Sequence, residues 1–243
     1  MGGNESILDN VKTVMANILR ACARVGRDPD EVTLIAVSKT KPAQAVYEAV
    51  EAGITHFGEN RVEEASIKLP QVRELTSALL TWHMIGTIQS RKAKPVAALF
   101  DMVHSVDSVK LAQKLSEYAL AEGRKLPVLL EVNASGEASK HGFLIHQADV
   151  RAELWAGWLN DVDTLLALRG LSLQGLMTMA PYEAEAEATR PVFRAVAQAR
   201  RRLEAHIGQS LPILSMGMTN DYEVAIEEGA THVRVGRAIF GER

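Results

Sequence analysis

Thr33-Leu34-Ile35-Ala36-Val37, then Ser38-Lys39-Thr40-Lys41-Pro42, then the helical pattern over residues 43–52, form one strand, one polar turn and one helix in succession. The apolar run is short and rich in branched side chains, as a strand buried on both faces is. The unit recurs. Further β-branched or aromatic runs fall at residues 55–58, 82–86, 102–106, 128–132, 173–177, 213–216 and 233–236. Helical patterns lie between them, at 62–75, 108–122, 148–167 and 190–206. Ahead of the first strand, Ile7, Val11, Val14, Met15, Ile18, Leu19 and Cys22 recur at helical spacing, so residues 5–25 are expected to form an amphipathic helix laid on the rest. Strict strand-helix alternation requires parallel strands with crossover helices. Eight such strands in 243 residues predict a closed α/β TIM (β/α)8 barrel with an extra N-terminal helix. The rival, an open doubly wound sheet, carries G-x-G-x-x-G after an early strand, and that pattern does not occur. No composition shift or low-complexity block marks a boundary, so one domain is expected over residues 1–243. The acidic-alanine patch at 183–188 reads as a loop or helix start after the sixth strand.

Hydrophobic residues make up 47% and charged residues 23%, enough for a sizeable core and far from the disordered regime. Twenty-seven Lys and Arg against 30 Asp and Glu leave a net charge of -3, which speaks against a nucleic-acid or acidic-membrane surface. The single cysteine, Cys22, excludes an intrachain disulfide and a Cys-based zinc cluster, and suits the reducing cytoplasm. Glu5, Asp9, Asn10 and Lys12 interrupt the N-terminal apolar residues, so neither a secretory signal nor a membrane span is expected. Met1-Gly2-Gly3-Asn4-Glu5-Ser6 fits the loose myristoylation template, but no polybasic second anchor accompanies it.

Barrel chemistry sits at the C-terminal ends of the strands, so the residues directly after each run are the candidates. Lys39 leaves the first strand there. It is either a partly desolvated amine able to attack a carbonyl or a solvated loop lysine, and position alone leaves both open. Lys41, at the start of a helix, reads as solvated. The loops after the seventh and eighth strands, with Gly217, Thr219 and Gly236, form a candidate anion site. Thr219 equally suits the N-cap of a helix beginning near Asn220. Arg234 alternates with Val233 and Val235 and therefore points into the barrel with His232, where it needs an acceptor from a ligand or from Glu59 or Glu131. His56, His83, His104 and His232 also lie in or beside strands. Without H-x-H or H-E-x-x-H spacing they read as packed barrel residues, and no metal is expected. Arg91, Lys92 and Lys94 lack interleaved aromatics and read as a solvated helix face.

Seven blocks in order resemble the YggS/PROSC family of pyridoxal 5'-phosphate (PLP) homeostasis proteins, which is similar to the N-terminal barrel of alanine racemase. They are Ala36-Val37-Ser38-Lys39-Thr40-Lys41-Pro42, Phe57-Gly58-Glu59-Asn60-Arg61-Val62, Trp82-His83-Met84-Ile85-Gly86, Val103-His104-Ser105-Val106-Asp107, Gly175-Leu176-Met177-Thr178-Met179, Leu214-Ser215-Met216-Gly217-Met218 and Val233-Arg234-Val235-Gly236. The resemblance implies that Lys39 forms an imine with PLP, that Arg234 faces the pyridine nitrogen, and that Asn60 lies in the cofactor pocket. It implies that Thr219, where the family has serine, holds the phosphate with Gly236. Two positions depart from the family. Thr87 replaces a frequent histidine, and Arg237 replaces a small hydroxyl residue, leaving a backbone amide and an added charge at that phosphate position.

The resemblance implies a binding module that holds PLP and delivers it to PLP-requiring apoenzymes as a monomer or weak dimer, without catalytic turnover. Two enzyme readings compete. An amino-acid racemase would need a second base, which alanine racemases take from a tyrosine of an added C-terminal β-domain, whereas this sequence stops at Arg243. Of its own tyrosines, Tyr47 and Tyr118 fall in crossover helices, and Tyr182 and Tyr222 fall near the barrel mouth. A PLP-free Schiff-base aldolase would need only the lysine and the phosphate site.

Overall fold

The computed structural model describes residues 6–137, 140–146, 151–181 and 185–242. Tyr182, the start of the acidic-alanine patch, the start of the helix expected from residue 148 and the first five residues of the myristoylation pattern lie outside them. Helix α1 (Ile7–Arg24) opens at Ser6, whose hydroxyl accepts the Asp9 N–H at 3.1 Å, and buries Val11, Val14, Ile18, Ala21 and Cys22. The chain then alternates through β1 (Thr33–Val37), α2 (Ala43–Glu51), β2 (His56–Glu59), α3 (Val62–Leu75), β3 (Thr81–Met84), α4 (Ala93–Leu99), β4 (Met102–Val106) and α5 (Val109–Ala121). It continues through β5 (Leu126–Asn133), β6 (Phe143–Leu144), α6 (Ala152–Leu166), β7 (Leu171–Met177), α7 (Arg190–Ile207), β8 (Ile213–Ser215), α8 (Tyr222–Glu227), β9 (His232–Val235) and α9 (Arg237–Phe240).

The barrel strands pair in the order β4-β3-β2-β1-β9-β8-β7-β5, and β4 pairs with β5 to close the ring. Every described pairing is parallel. This is the expected eight-stranded TIM barrel. Among the elements the sequence did not announce are two short ones. Strand β6 sets Phe143 and Leu144 beside Val132 and Asn133 at the end of β5, and two residues are too few to show a period. Helix α4 carries Pro95 in its first turn, where the missing N–H has no intrahelical partner to lose.

Alternation along the strands divides the molecule into two interiors. Val128, Leu130 and Val132 of β5 join the large apolar core between sheet and helices, whereas Leu129 packs inside the barrel with Met177 and Ile213. The same alternation turns His83, His104, Glu131, Ser215 and Arg234 inward, and all are buried. A barrel interior is ordinarily filled with branched apolar side chains. Here polar groups fill much of it, and each must find a partner inside.

Candidate functional site

The C-terminal ends of the strands surround a cavity of about 530 Å³ whose lining includes Lys39, Asn60, Thr219, Arg234, Gly236 and Arg237. All six candidate residues therefore meet in one place, with Val37, Ile85 and Met179 supplying apolar wall between them. Thr87 is exposed and does not line the cavity.

Lys39 follows β1 in a turn held from behind. Thr40 has φ 65°, the one non-glycine left-handed conformation among the described residues, and its N–H donates to Glu64 Oε1 at 2.6 Å. Buried Lys68, on α3, donates to the Ser38 carbonyl at 2.7 Å, to Glu59 Oε1 at 2.7 Å and to Glu64 Oε1 at 2.6 Å. The Ser38 hydroxyl donates to the same Glu59 oxygen at 2.7 Å. One ammonium thus fixes the backbone on both sides of Lys39. Burial pushes the Glu59 carboxyl upward, against the pull of Lys68 and Ser38. Sequence reasoning missed Lys68, whose one visible signal is its i,i+4 spacing from Glu64.

Lys41 is not a solvated lysine. Its Nζ donates to the carbonyls of Phe240 and Glu242, each at 2.9 Å, and ties the start of α2 to the segment after α9.

Arg234 has an exposure of 4% and finds neither of the carboxylates expected for it as a hydrogen-bond partner. Its Nη1 donates to Ser215 Oγ at 2.5 Å and its Nη2 to the Thr178 carbonyl at 2.8 Å. Glu59 is held by Lys68, while Glu131 and Asp221 act on Arg234 through their charge. Burial lowers the guanidinium to about 10, so it remains charged at neutral pH. Burial and Asp107 raise Glu131 to about 7.

Thr219 does not cap α8. Asp221 occupies the N-cap position, and its Oδ1 accepts the Met218 N–H at 2.6 Å. The loop is drawn tight at Gly217, φ 91°, where a Cβ would stand 2.8 Å from the Tyr222 Cα. Arg237 is exposed at the rim and donates to Asn220 Oδ1 at 2.9 Å, joining the loops after β8 and β9. Asn60 presses its backbone against Gly86, where a Cβ would lie 2.3 Å from the Asn60 carbonyl oxygen. Its side-chain Oδ1 is buried without a hydrogen-bond partner. A buried acceptor left alone is costly, so this one beside a cavity marks a place for a donor.

Among the described residues, no group of three His, Cys, Asp or Glu is arranged to hold a metal ion. The barrel histidines bond to one another instead. No helix of the described residues is long and apolar enough to cross a membrane. Tyr222 turns away from the cavity's chemistry, its hydroxyl accepting from Asn17 of α1 at 2.8 Å.

Known proteins bear on this geometry. Residues 10–243 match the model of the alanine racemase N-terminal domain. The pyridoxal phosphate homeostasis protein of Pseudomonas aeruginosa is 44% identical over 238 residues, 98% of this chain and 96% of that one. The protein of the same name from Escherichia coli is 40% identical over 98% of this chain and 97% of its own. The structure of PipY of Synechococcus elongatus with PLP bound superposes with a TM-score of 0.75 at 38% identity, covering 93% of this chain and all of that one. An alanine racemase of Clostridium difficile, at 17% identity and a TM-score of 0.65, shares the fold and extends beyond it, since 57% of that chain is covered.

Proposed function

Because this chain belongs to the family of pyridoxal phosphate homeostasis proteins, within the alanine racemase N-terminal domain family, we propose that it holds PLP in the cavity at the open end of the barrel. The observation that carries this reading is the meeting of Lys39, Thr219 and Gly236 around one cavity, with Asn60 in its wall. PLP supplies an aldehyde, which condenses with a lysine amine and releases water, and a phosphate at its other end. Lys39 is the amine of this reading, since it leaves β1 at the C-terminal end of the strand and lines the cavity, at the position the family resemblance gives to the imine lysine. The Thr219 hydroxyl and the Gly236 backbone serve the phosphate, and Arg237 adds positive charge at the rim. Arg234, which lines the same cavity, would face the ring nitrogen as a donor with no acceptor of its own, which would keep that nitrogen unprotonated and a poor electron sink.

The supply of bases favours a carrier over a racemase. Racemisation needs a base on each face of the bound substrate, and Tyr222 is committed to Asn17. We place the protein in the cytoplasm, where buried Cys22 stays reduced, supplying PLP to apoenzymes as a monomer or weak dimer. The test is to load the purified chain with PLP, reduce with borohydride and map the labelled peptide, which should carry the label on Lys39. Incubation with L-alanine in deuterated buffer should give no D-alanine at rates of about 1 s⁻¹, the low end of ordinary enzymes. Label on Lys41, or turnover at that rate, overturns the reading.

A further inference from the structure

A row of hydrogen bonds runs through the barrel interior, away from the cavity. Arg234 Nη1 reaches Ser215 Oγ at 2.5 Å, and Ser215 Oγ lies 2.9 Å from His104 Nδ1. His104 Nε2 lies 2.9 Å from His83 Nδ1, and His83 Nε2 lies 3.0 Å from His56 Nδ1. The row starts at the floor of the cavity and ends at His56, the first residue of β2, half-buried at the opposite rim. We propose that His104 and His83 are positioning residues acting through Ser215 on Arg234, as a one-directional relay linking the closed end of the barrel to the cofactor's ring-nitrogen position.

The direction follows from chemistry. A guanidinium has no acceptor, so Ser215 Oγ must accept from Arg234. If His104 Nδ1 also carried a hydrogen, Ser215 would accept twice and its own buried proton would have no acceptor in the row, an expensive arrangement. Ser215 therefore donates to His104 Nδ1. His104 keeps its hydrogen on Nε2 and donates to His83 Nδ1, and His83 in turn donates from Nε2 to His56 Nδ1. All three rings are neutral Nε2–H tautomers.

Two consequences follow. The lone-pair ends of three imidazoles point toward Arg234, giving this buried cation aligned dipoles where it lacks a bonded carboxylate. Every ring lone pair is also occupied, so no ring accepts a proton without breaking the row. The flanking charges act in the same sense. Burial comes first in lowering His83 to about 3 and His104 well below the usual histidine range, and His232, 6.3 Å from both rings, lowers each further. Asp101 alone pulls the other way, on His56.

Tautomers are read by ring 15N shifts in histidine-labelled protein, with no cofactor present. His56, His83 and His104 should all be Nε2–H at pH 7, and Ser215→Ala should change the state of His104 and, through it, of His83. An Nδ1–H or mixed signal at any of the three in the unaltered chain overturns the proposal, as does Ser215→Ala leaving both rings unchanged. The link to the cavity rests on the PLP reading and has its own measurement. In PLP-loaded protein, His83→Gln should move the pH midpoint of the cofactor absorbance by about half a unit, with PLP affinity held within about threefold. An unmoved midpoint in folded His83→Gln and Ser215→Ala overturns the link. Failure of the unaltered chain to load PLP refutes the cofactor reading instead, and leaves the relay to be decided by the tautomers.

Discussion

Lys68 Nζ stands 2.7 Å from the carbonyl oxygen of Ser38, the residue before Lys39, and its second contact, Glu64, accepts the N–H of Thr40, the residue after it. The turn that carries Lys39 is thus placed by another lysine one helix away. Glu59, at 0% exposure, depends on the same ammonium. Lys68→Met should therefore destabilise the fold by about 3 to 5 kcal/mol, the usual consequence of orphaning a buried charge. Adding Glu59→Gln should restore most of that stability without restoring the hold on Lys39. Urea denaturation measures the first effect and spectrophotometric PLP titration the second. A double variant that binds PLP as the unaltered chain does would show that Lys68 serves the fold alone.

Thr219, which lines the same cavity, has no capping duty, because Asp221 holds the N-cap position of α8. Its hydroxyl is available to an anion. Thr219→Ala should cost about 1.5 to 3 kcal/mol of PLP binding, roughly ten- to a hundredfold in Kd. Pyridoxal, which lacks the phosphate, should lose far less. Equal losses for the two ligands would move Thr219 away from the phosphate.

The barrel was legible in the sequence because its signal is repeated. Eight short branched runs with helical patterns between most of them leave few topologies, and the polar residues after those runs name the mouth of the cavity. Lys39, Thr219 and Gly236 were visible for that reason. Lys68 and the acceptors of Arg234 were not. A lysine in mid-helix reads as solvated until the helix is known to press it against a particular turn. Ser215 lies on the strand beside Arg234 and Thr178 just past the strand after that, and spacing along the chain carries no information about which strands stand side by side. The histidines were visible as strand residues, but their linkage depends on the closure of β4, β3 and β2 side by side.

The neutral histidines set the protein's response to acid. In the folded chain His83 is lowered to about 3 and His232 to about 4, chiefly by burial, and His104 lies well below the usual range. Once unfolded, each titrates near 6.5. Between about pH 6.5 and 4 the unfolded chain therefore binds more protons, and stability present above pH 6.5 is lost as the pH falls. With three such groups the steepest slope is on the order of 4 kcal/mol per pH unit. Glu131 opposes them with a single proton, so the histidines prevail. Urea midpoints should fall steeply from pH 6.5 to 5. A flat profile over that range would mean that the rings are charged in the fold.

Glu131 itself is the opposite case. Burial and the charge of Asp107 raise its folded value to about 7, while Arg234 and His141 only partly offset them. In the unfolded chain it titrates in the ordinary carboxylate range, near 4.3. The folded protein therefore holds the extra proton between those two values, and stability from this group, complete below about pH 4.3, is lost as the pH rises through 7. At pH 8 the carboxylate is forced to ionise at 2% exposure, a loss of about 4 kcal/mol relative to low pH. Glu131→Gln keeps the shape and removes the charge, although its amide brings hydrogens that need acceptors. It should stabilise the protein at pH 8 by about 1 to 3 kcal/mol, and the gain should vanish near pH 4.5. Urea denaturation at the two pH values measures the difference. Destabilisation by the same amount at both would show that Glu131 is ionised in the fold and paired with Arg234 after all, so that the barrel's buried cation has a carboxylate partner in solution.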